Sequence, residues 1–383
     1  MTPTTKTFRI LVLPGDHAGP EVMHEALKVL AVLQQHTPDT TFTLDHDICG
    51  GASLDAHGTP ITEAVLSKAT ASDAVLFGSC GGPEWGHSVP NPEAGLLRLR
   101  THLGAFANVR PCRVYAESLV GRSPLRDHVV RGVDFVVLRE NCGGAYYGAK
   151  VEDYEKGVAS DSWVYTVPEI ERVGRVGAAL ARQRGEKLVW STDKANVLAN
   201  SRLWRKTMHA LYEREFPDLE LRDQLADSLS MIMVIDPKRF NGIILADNTF
   251  GDMLSDQAGG VVGTLGTLPS ASLCGIPEKG KPVMGIYEPI HGSAPDIAGQ
   301  GKVNPTAQIL SFSMLLRYSC CMYKEADAIE AAVERVLNSK DIGGLEVRTG
   351  DLGGKSSTSE VGDAVCEVLK ELLSQSDSNG HAK

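Results

Sequence analysis

The stretch Gly242-Ile-Ile-Leu-Ala246-Asp-Asn-Thr-Phe250-Gly-Asp252-Met-Leu-Ser-Asp256 turns an apolar strand into a helix within a few residues. Gly242–Ala246 has the length and character of a buried strand, and from Phe250 onward the pattern is helical. In such a helix Asp252 and Asp256 stand four apart on one face. Two carboxylates that close repel unless something positive lies between them, and hard oxygen ligands suit Mg2+ or Mn2+. A solvated acidic turn near a helix N-terminus is the plainer reading of the same pair.

The same strand-to-helix step recurs on either side. Phe8-Arg-Ile-Leu-Val-Leu13 reads as a buried strand, followed by Pro14-Gly-Asp-His-Ala-Gly19 and a helix from Pro20 to about Leu33. Pro20 and Glu21 both suit a helix start. Asp73-Ala-Val-Leu-Phe-Gly78 is a second strand, ending in Gly81-Gly82, and Lys187-Leu-Val-Trp190 a third, leading into a helix that ends near Glu215. Further helices are expected at about 228–234, 305–318 and 324–338. Alternating strands and helices imply an α/β fold with a largely parallel sheet. Neither glycine loop has the GxGxxG spacing, so any nucleotide is held by something other than an ordinary Rossmann site.

Other segments read as connections. Leu268–Leu273 reads as a loop, and Tyr287–Asp296 as a turn-rich loop able to hold an adenosine, with Asp296 accepting from ribose hydroxyls. Lys150–Pro168 is polar, carries Tyr154, Trp163 and Tyr165, and reads as an extended arm suited to pairing with a partner. Gly350–Ser356 misses the phosphate-loop pattern because Thr349 stands where its first glycine belongs, leaving a turn. The last ten residues read as disordered.

Composition bounds the function. A chain of 383 residues with 42% hydrophobic and 22% charged residues is ordinary for a globular protein and long enough for two domains. A formal charge of -10 argues against nucleic acid or anionic membrane as principal partner. No apolar run reaches the length of a membrane helix, and Met1–Arg9 is too short for a targeting segment before the first strand. Eight cysteines without a CxxC pair suit a reducing compartment, with the cytoplasm as the default. An anionic substrate would need a local basic cluster. Arg100, Arg110 and Arg139 fall at element ends, where each could make a surface ion pair or join a bidentate carboxylate clamp.

Taken together, the segments resemble the isocitrate/isopropylmalate dehydrogenase family of metal-dependent β-decarboxylating dehydrogenases. The resemblance runs from Leu13-Pro-Gly-Asp16 to Arg348-Thr-Gly-Asp351 and is most specific at three stretches. These are Ser191-Thr-Asp-Lys-Ala-Asn-Val197, Asn248–Asp256 and Glu288-Pro-Ile-His-Gly-Ser-Ala-Pro-Asp296. It implies a two-domain α/β fold with residues 1–105 plus 263–383 binding the nucleotide. Residues 106–262 would bind substrate and form a homodimer whose active sites are shared.

The resemblance also implies roles. Asp252 and Asp256 of one chain and Asp227 of the other would hold Mg2+ or Mn2+, and Arg100, Arg110 and Arg139 would clamp substrate carboxylates. Lys194 of the partner chain would accept the C2 hydroxyl proton, and Tyr146 would protonate the carbon left after decarboxylation. Leu96 and Leu97, with Val197 opposite, would line a pocket for the isopropyl group of 3-isopropylmalate, whose product is 4-methyl-2-oxopentanoate in leucine synthesis. Glu288, His291, Gly292, Ser293, Ala294, Asn304 and Gly266 would lie along the cofactor, with Asp296 favouring NAD over NADP.

Four departures from the family pattern stand out. They are Asn141, Tyr147 in place of phenylalanine, Asp223 in place of histidine near the metal region, and Gly259-Gly260 interrupting a helix. They leave room for a paralogue acting on another 3-substituted malate in a side pathway. A non-catalytic binding protein is the alternative from a different class.

Overall fold

The computed structural model describes residues 6–380, with side chains described through 375. In chain order the first strands are β1 (Lys6–Gly15), β2 (Thr40–His46), β3 (Ala74–Ser79), β4 (Ala107–Arg113), β5 (Asp134–Glu140), β6 (Lys150–Asp153) and β7 (Val158–Asp161). The rest are β8 (Leu188–Asp193), β9 (Glu220–Leu225), β10 (Gly242–Ala246), β11 (Pro269–Leu273) and β12 (Gly285–Pro289). Ten of them pair into one sheet in the order β2-β1-β3-β12-β11-β4-β5-β10-β8-β9.

Each end of this sheet is parallel and carries the apolar runs read from sequence. β1 lies between β2 and β3, with Leu13 opposite Phe77, and β10 lies between β5 and β8, with Leu245 opposite Leu138. The centre is antiparallel: β4 runs against both β5 and β11, and β11 against β12. The sheet is therefore mixed, with six of its nine pairings parallel, as the alternation of strands and helices implies, and three antiparallel at its centre.

Central strand β11, and the Tyr287–Pro289 part of β12, occupy segments that read as loop from composition. β11 is polar in sequence yet fully buried, and Asn108 Nδ2 donates to Ser270 Oγ at 2.7 Å and Ser272 Oγ at 3.0 Å. Asn141 belongs to the same buried network, donating to Ser272 Oγ at 3.2 Å. Its amide N–H therefore serves a strand hydroxyl in the core, while the Oδ1 atoms of Asn108 and Asn141 stay buried without a partner among the described residues.

Helices form where expected, with extended ends. Ala18–His36 follows β1, Asn248–Val262 follows β10, and Thr306–Tyr318 is buried along almost its whole length. Gly259-Gly260 does not interrupt its helix. A Cβ on Gly259 would stand 2.2 Å from Leu265 Cδ2, so glycine there lets the following turn pack directly against the helix. Thr358–Gly380 is helical into the segment that reads as disordered, and 381–383, like 1–5, lie outside the described residues.

The Lys150–Pro168 arm divides in two. β6 and β7 form an exposed antiparallel hairpin, whereas Trp163 and Tyr165 turn inward. The Trp163 ring lies 5.3 Å from Phe250, and Tyr165 Oη accepts from the Asn248 backbone N–H at 2.9 Å. The arm thus anchors the start of the helix that carries Asp252.

Asp16 fastens the β1 end of the sheet. Its buried carboxylate accepts backbone N–H groups from Gly51 at 2.8 Å, Ala52 at 2.9 Å and Gly81 at 2.9 Å. Asp16→Asn puts a donor against one of these donors, and should lower the unfolding free energy by about 2 kcal/mol, read from the midpoint of urea denaturation.

Candidate active site

The helix Asn248–Val262 can reach the sheet because Gly251 lacks a side chain. A Cβ there would stand 2.7 Å from Arg139 Cγ and 2.8 Å from its Cβ. This close approach brings Asp252 to the two arginines that project from neighbouring strands. Arg139, at the end of β5, donates from Nη1 to Asp252 Oδ1 at 2.5 Å, and Arg110 Nη1 on β4 lies 3.3 Å from the same oxygen. Tyr146 donates its phenol proton to Asp252 Oδ2 at 2.9 Å, and the Arg139 guanidinium lies 5.5 Å from the Tyr146 ring centroid. Arg110 also donates to Ser255 Oγ at 2.6 Å and stands 3.5 Å from Asp256. None of the three arginines is a surface residue: Arg100 and Arg110 are 7% exposed and Arg139 is 3% exposed.

Electrostatics follows from this packing. Burial raises the Asp252 carboxyl, but the Arg139 and Arg110 cations outweigh it and hold Asp252 below the usual carboxylate range. Burial and the neighbouring Arg110 push Arg139 down to about 10, which leaves it charged at neutral pH. Burial and the adjacent Asp252 raise the Tyr146 phenol, so it keeps its proton as an acid would need to. Arg100, on helix Glu93–Leu103, is held by Glu288 Oε1 at 2.5 Å, which ties that helix to β12.

Lys194 and Asp227 stand apart from this cluster. They pair with each other at 2.7 Å and line an open cavity of about 440 Å³ with Val197, Trp163, Phe250 and Met253. Neither makes an ion pair or hydrogen bond to Tyr146, Asp252 or the arginines within the chain. Among the described residues of one chain, no group of three His, Cys, Asp or Glu is placed to hold a metal ion. Asp252 and Asp256 are hard oxygen donors of the kind that suits Mg2+ or Mn2+, and two carboxylates alone do not complete the shell of such an ion.

The remaining expected residues fall into two groups. Leu96 packs against the core cluster around Leu11, Ile61 and Leu99, while Leu97 is half-buried on the same helix. Asn304 Nδ2 donates to Asp351 Oδ2 at 3.0 Å, and a Cβ on Gly266 would stand 2.6 Å from that same oxygen. His291, lowered by burial, places Nδ1 2.9 Å from the Gly292 carbonyl. Ser293 is buried and its carbonyl accepts from Ala18 N–H at 2.9 Å, Ala294 has φ +42°, and Asp296 is exposed.

Sequence reading missed Asn248, which accepts from Arg139 Nε and Nη2 at 3.0 and 2.7 Å and donates to the Gly143 carbonyl at 2.9 Å. It also missed Asp247, whose side chain caps the helix by accepting from Phe250 N–H at 2.8 Å. An Asp-Asn pair directly before a helical run is an N-cap signal that could have found both. Asp223 is not a loose charge near the metal region. It sits on β9, 2.9 Å from His209 Nε2 and 3.5 Å from Arg205 Nε. Tyr147 is partly buried, and burial pushes its phenol up to about 12 against the lowering pull of the Arg100 cation.

The whole-chain pattern has known counterparts. A family model described as isocitrate/isopropylmalate dehydrogenase matches residues 9–365. The chain belongs to this family. It is 61% identical to a 3-isopropylmalate dehydrogenase of Hapsidospora chrysogena, over 96% of this chain and 98% of that protein. It is 49% identical to a 3-isopropylmalate dehydrogenase of Zygosaccharomyces bailii, over 95% and 99%. Among solved structures it resembles isocitrate dehydrogenase from Methylococcus capsulatus, with TM-score 0.81 and 31% identity over 95% of this chain and 99% of that one. A β-decarboxylating dehydrogenase from Thermococcus kodakarensis gives TM-score 0.76 and 32% identity over 97% and 98%.

Asp247 gives this family member a pH signature. Burial pushes its carboxyl up to about 7, from an ordinary value of 3.8. Its raised value in the fold means that stability present in acid is lost as pH rises from about 4 through about 7. Asp247→Asn keeps a capping oxygen without the buried charge. The variant should unfold about 2 kcal/mol harder than the parent at about pH 8, and equally near pH 4, as measured by denaturant titration at both values.

Proposed function

We propose that the chain oxidises and decarboxylates 3-isopropylmalate with NAD, in leucine biosynthesis, as a cytoplasmic homodimer with shared active sites. The observation that carries this reading is Asp252, held between Arg139, Arg110 and the Tyr146 phenol, in a chain of this family. When bound, the nicotinamide accepts the C2 hydride, and a divalent cation stabilises negative charge on the C2 oxygen.

The chain's own groups do the rest. Arg100, Arg110 and Arg139 bind the two carboxylates in a water-poor cleft, where guanidinium forks fix their geometry. Lys194 of the partner takes the C2 hydroxyl proton. The C3–carboxylate bond then breaks as CO2 leaves, and Tyr146, kept protonated by its surroundings, returns a proton to C3. Asp252 and Asp256, with Asp227 of the partner, hold the cation. Leu96 and Leu97, with Val197 of the partner, face the isopropyl group.

Sharing between chains is supported by the separation of the Lys194–Asp227 pair from Asp252. It is also supported by Val197, Met231, Ile235 and Met253, whose apolar side chains are all more than half exposed. Such a patch calls for cover. We assign 1–105 plus 263–383 to the nucleotide domain and 106–262 to the substrate and dimerisation domain. Glu288, His291, Gly292, Ser293, Ala294, Asn304 and Gly266 line the cofactor, with Asp296 repelling a 2′-phosphate. No helix among the described residues is long and apolar enough to cross a membrane, and all eight cysteines are free, which suits a reducing compartment.

The test is NADH formation with Mg2+ or Mn2+, comparing 3-isopropylmalate, isocitrate, tartrate and benzylmalate. The expected outcome is a clear preference for 3-isopropylmalate and for NAD over NADP. A preference for the aromatic acid would point to a side-pathway enzyme, and no turnover to a binding protein. Site sharing has its own test. Lys194→Ala and Asp252→Asn should each lower kcat by about 10²–10⁴. Dissociating and re-forming an equal mixture of the two should restore about a quarter of the parent rate, because half the dimers then own one intact site. If both groups acted within one chain, the mixture would stay inactive.

A further inference from the structure

His17 has φ +52° and ψ -108°, and the Gly19 N–H donates to the Asp16 carbonyl at 2.9 Å. These are the features of a type II′ turn over Asp16–Gly19, with His17 at the position where φ is positive and glycine dominates. A bulky residue there is strained. Strain of this kind persists only where the surroundings over-determine it, and it concentrates at ligand sites.

The surroundings of His17 meet that description. The order β2-β1-β3 makes the gap between β1 and β3 a topological switch point, and open α/β sheets bind ligands there, outside the strands' carboxyl ends. His17 follows the end of β1, and Gly82–Trp85 follow the end of β3. The imidazole reaches across the gap. Its Nε2 is buried and lies 3.0 Å from Glu84 Oε1, out of line for a hydrogen bond, with the ring 5.7 Å from that of Trp85. Gly82 passes so close that a Cβ on it would stand 2.3 Å from Nε2.

Two contacts orient this crossing point. The Ala18 N–H donates to the Ser293 carbonyl at 2.9 Å, joining the turn to the loop that carries Asp296. On the other side Gly81 lies against the carboxylate of Glu93, at the start of the substrate-side helix. A dinucleotide reaching from the loop of Asp296 toward the helix of Arg100 would cross here, with its nicotinamide-side ribose at the turn.

We propose that His17 and Glu84 are a ribose-binding pair for the dinucleotide. Glu84, whose side chain is 46% exposed, accepts from a hydroxyl of the nicotinamide-side ribose, and His17 is the positioning residue that holds it there. Carboxylates recognise ribose hydroxyls in other dinucleotide folds through the same chemistry. The proposal rests on the reading of the chain as NAD-dependent.

The test uses full-length parent, His17→Gly, His17→Gln and Glu84→Gln. NADH binding is followed by energy transfer from tryptophan, AMP binding by competition, and melting by calorimetry. His17→Gly should melt a few degrees higher, because the turn relaxes, yet bind NADH about tenfold more weakly. Glu84→Gln should weaken NADH similarly. His17→Gln, whose amide can reach Glu84 from the same position, should recover most of the affinity. AMP, which carries only the adenosine ribose, should bind all four alike. NADH binding by His17→Gly and Glu84→Gln within about twofold of the parent would overturn the pair, as would an equal loss of AMP binding. A parent that fails to bind NADH would instead overturn the cofactor reading itself.

Discussion

One carboxylate organises the centre of this molecule. Asp252 is reached by Arg139 from β5, by Arg110 from β4 and by Tyr146 from the turn after β5. Each of these groups would be costly to bury alone, since an unpaired charge in a low-dielectric interior carries a large desolvation penalty. Together they offset one another, and their mutual attraction fixes the helix Asn248–Val262 against the sheet. Gly251 is the steric condition for the contact, and Asn248, clasped by Arg139 and the Gly143 carbonyl, is its support. The geometry that would hold a metal and a substrate carboxylate is therefore also the geometry that packs the fold.

The parts of the fold legible in sequence were those whose burial is written in apolar side chains. β1, β3 and β10 are near-continuous apolar runs, and their helices announce themselves by period and by turn residues. β11 was not legible, because Pro-Ser-Ala-Ser-Leu is polar, and the Asn108 and Asn141 amides from neighbouring segments show where its hydroxyls go. Gly259 was misread for a related reason. A glycine inside a helix weakens it in isolation, but here it admits Leu265 at a distance no larger residue allows. Local propensity cannot report a neighbour that arrives from elsewhere in the chain.

Much the same holds for the site. Asp252, Asp256, Tyr146 and the three arginines carry chemistry in their side chains and could be named from family-like stretches. Their burial, and the convergence on one oxygen, could not. The arginines taken singly looked like candidates for weak surface pairs, and only the sheet order makes β4 and β5 neighbours. Asn248 and Asp247 act through backbone and through other residues, which leaves a fainter trace than a catalytic side chain does. Asp223, which stands in sequence as a departure from histidine, has His209 and Arg205 across from it.

The interleaved order of the sheet bears on how the protein is made. β3 pairs on one side with β1, an early neighbour, and on the other with β12, where Leu76 meets Tyr287. While the ribosome is still synthesising β4 through β11, β3 presents the unpaired edge of a strand that is wholly buried in the finished fold. That edge is a template for pairing with another nascent chain until Gly285–Pro289 emerges to cover it. Pairing across so long a stretch of chain carries a high loop-closure cost, and slowing elongation across the middle of the message would lengthen the exposure.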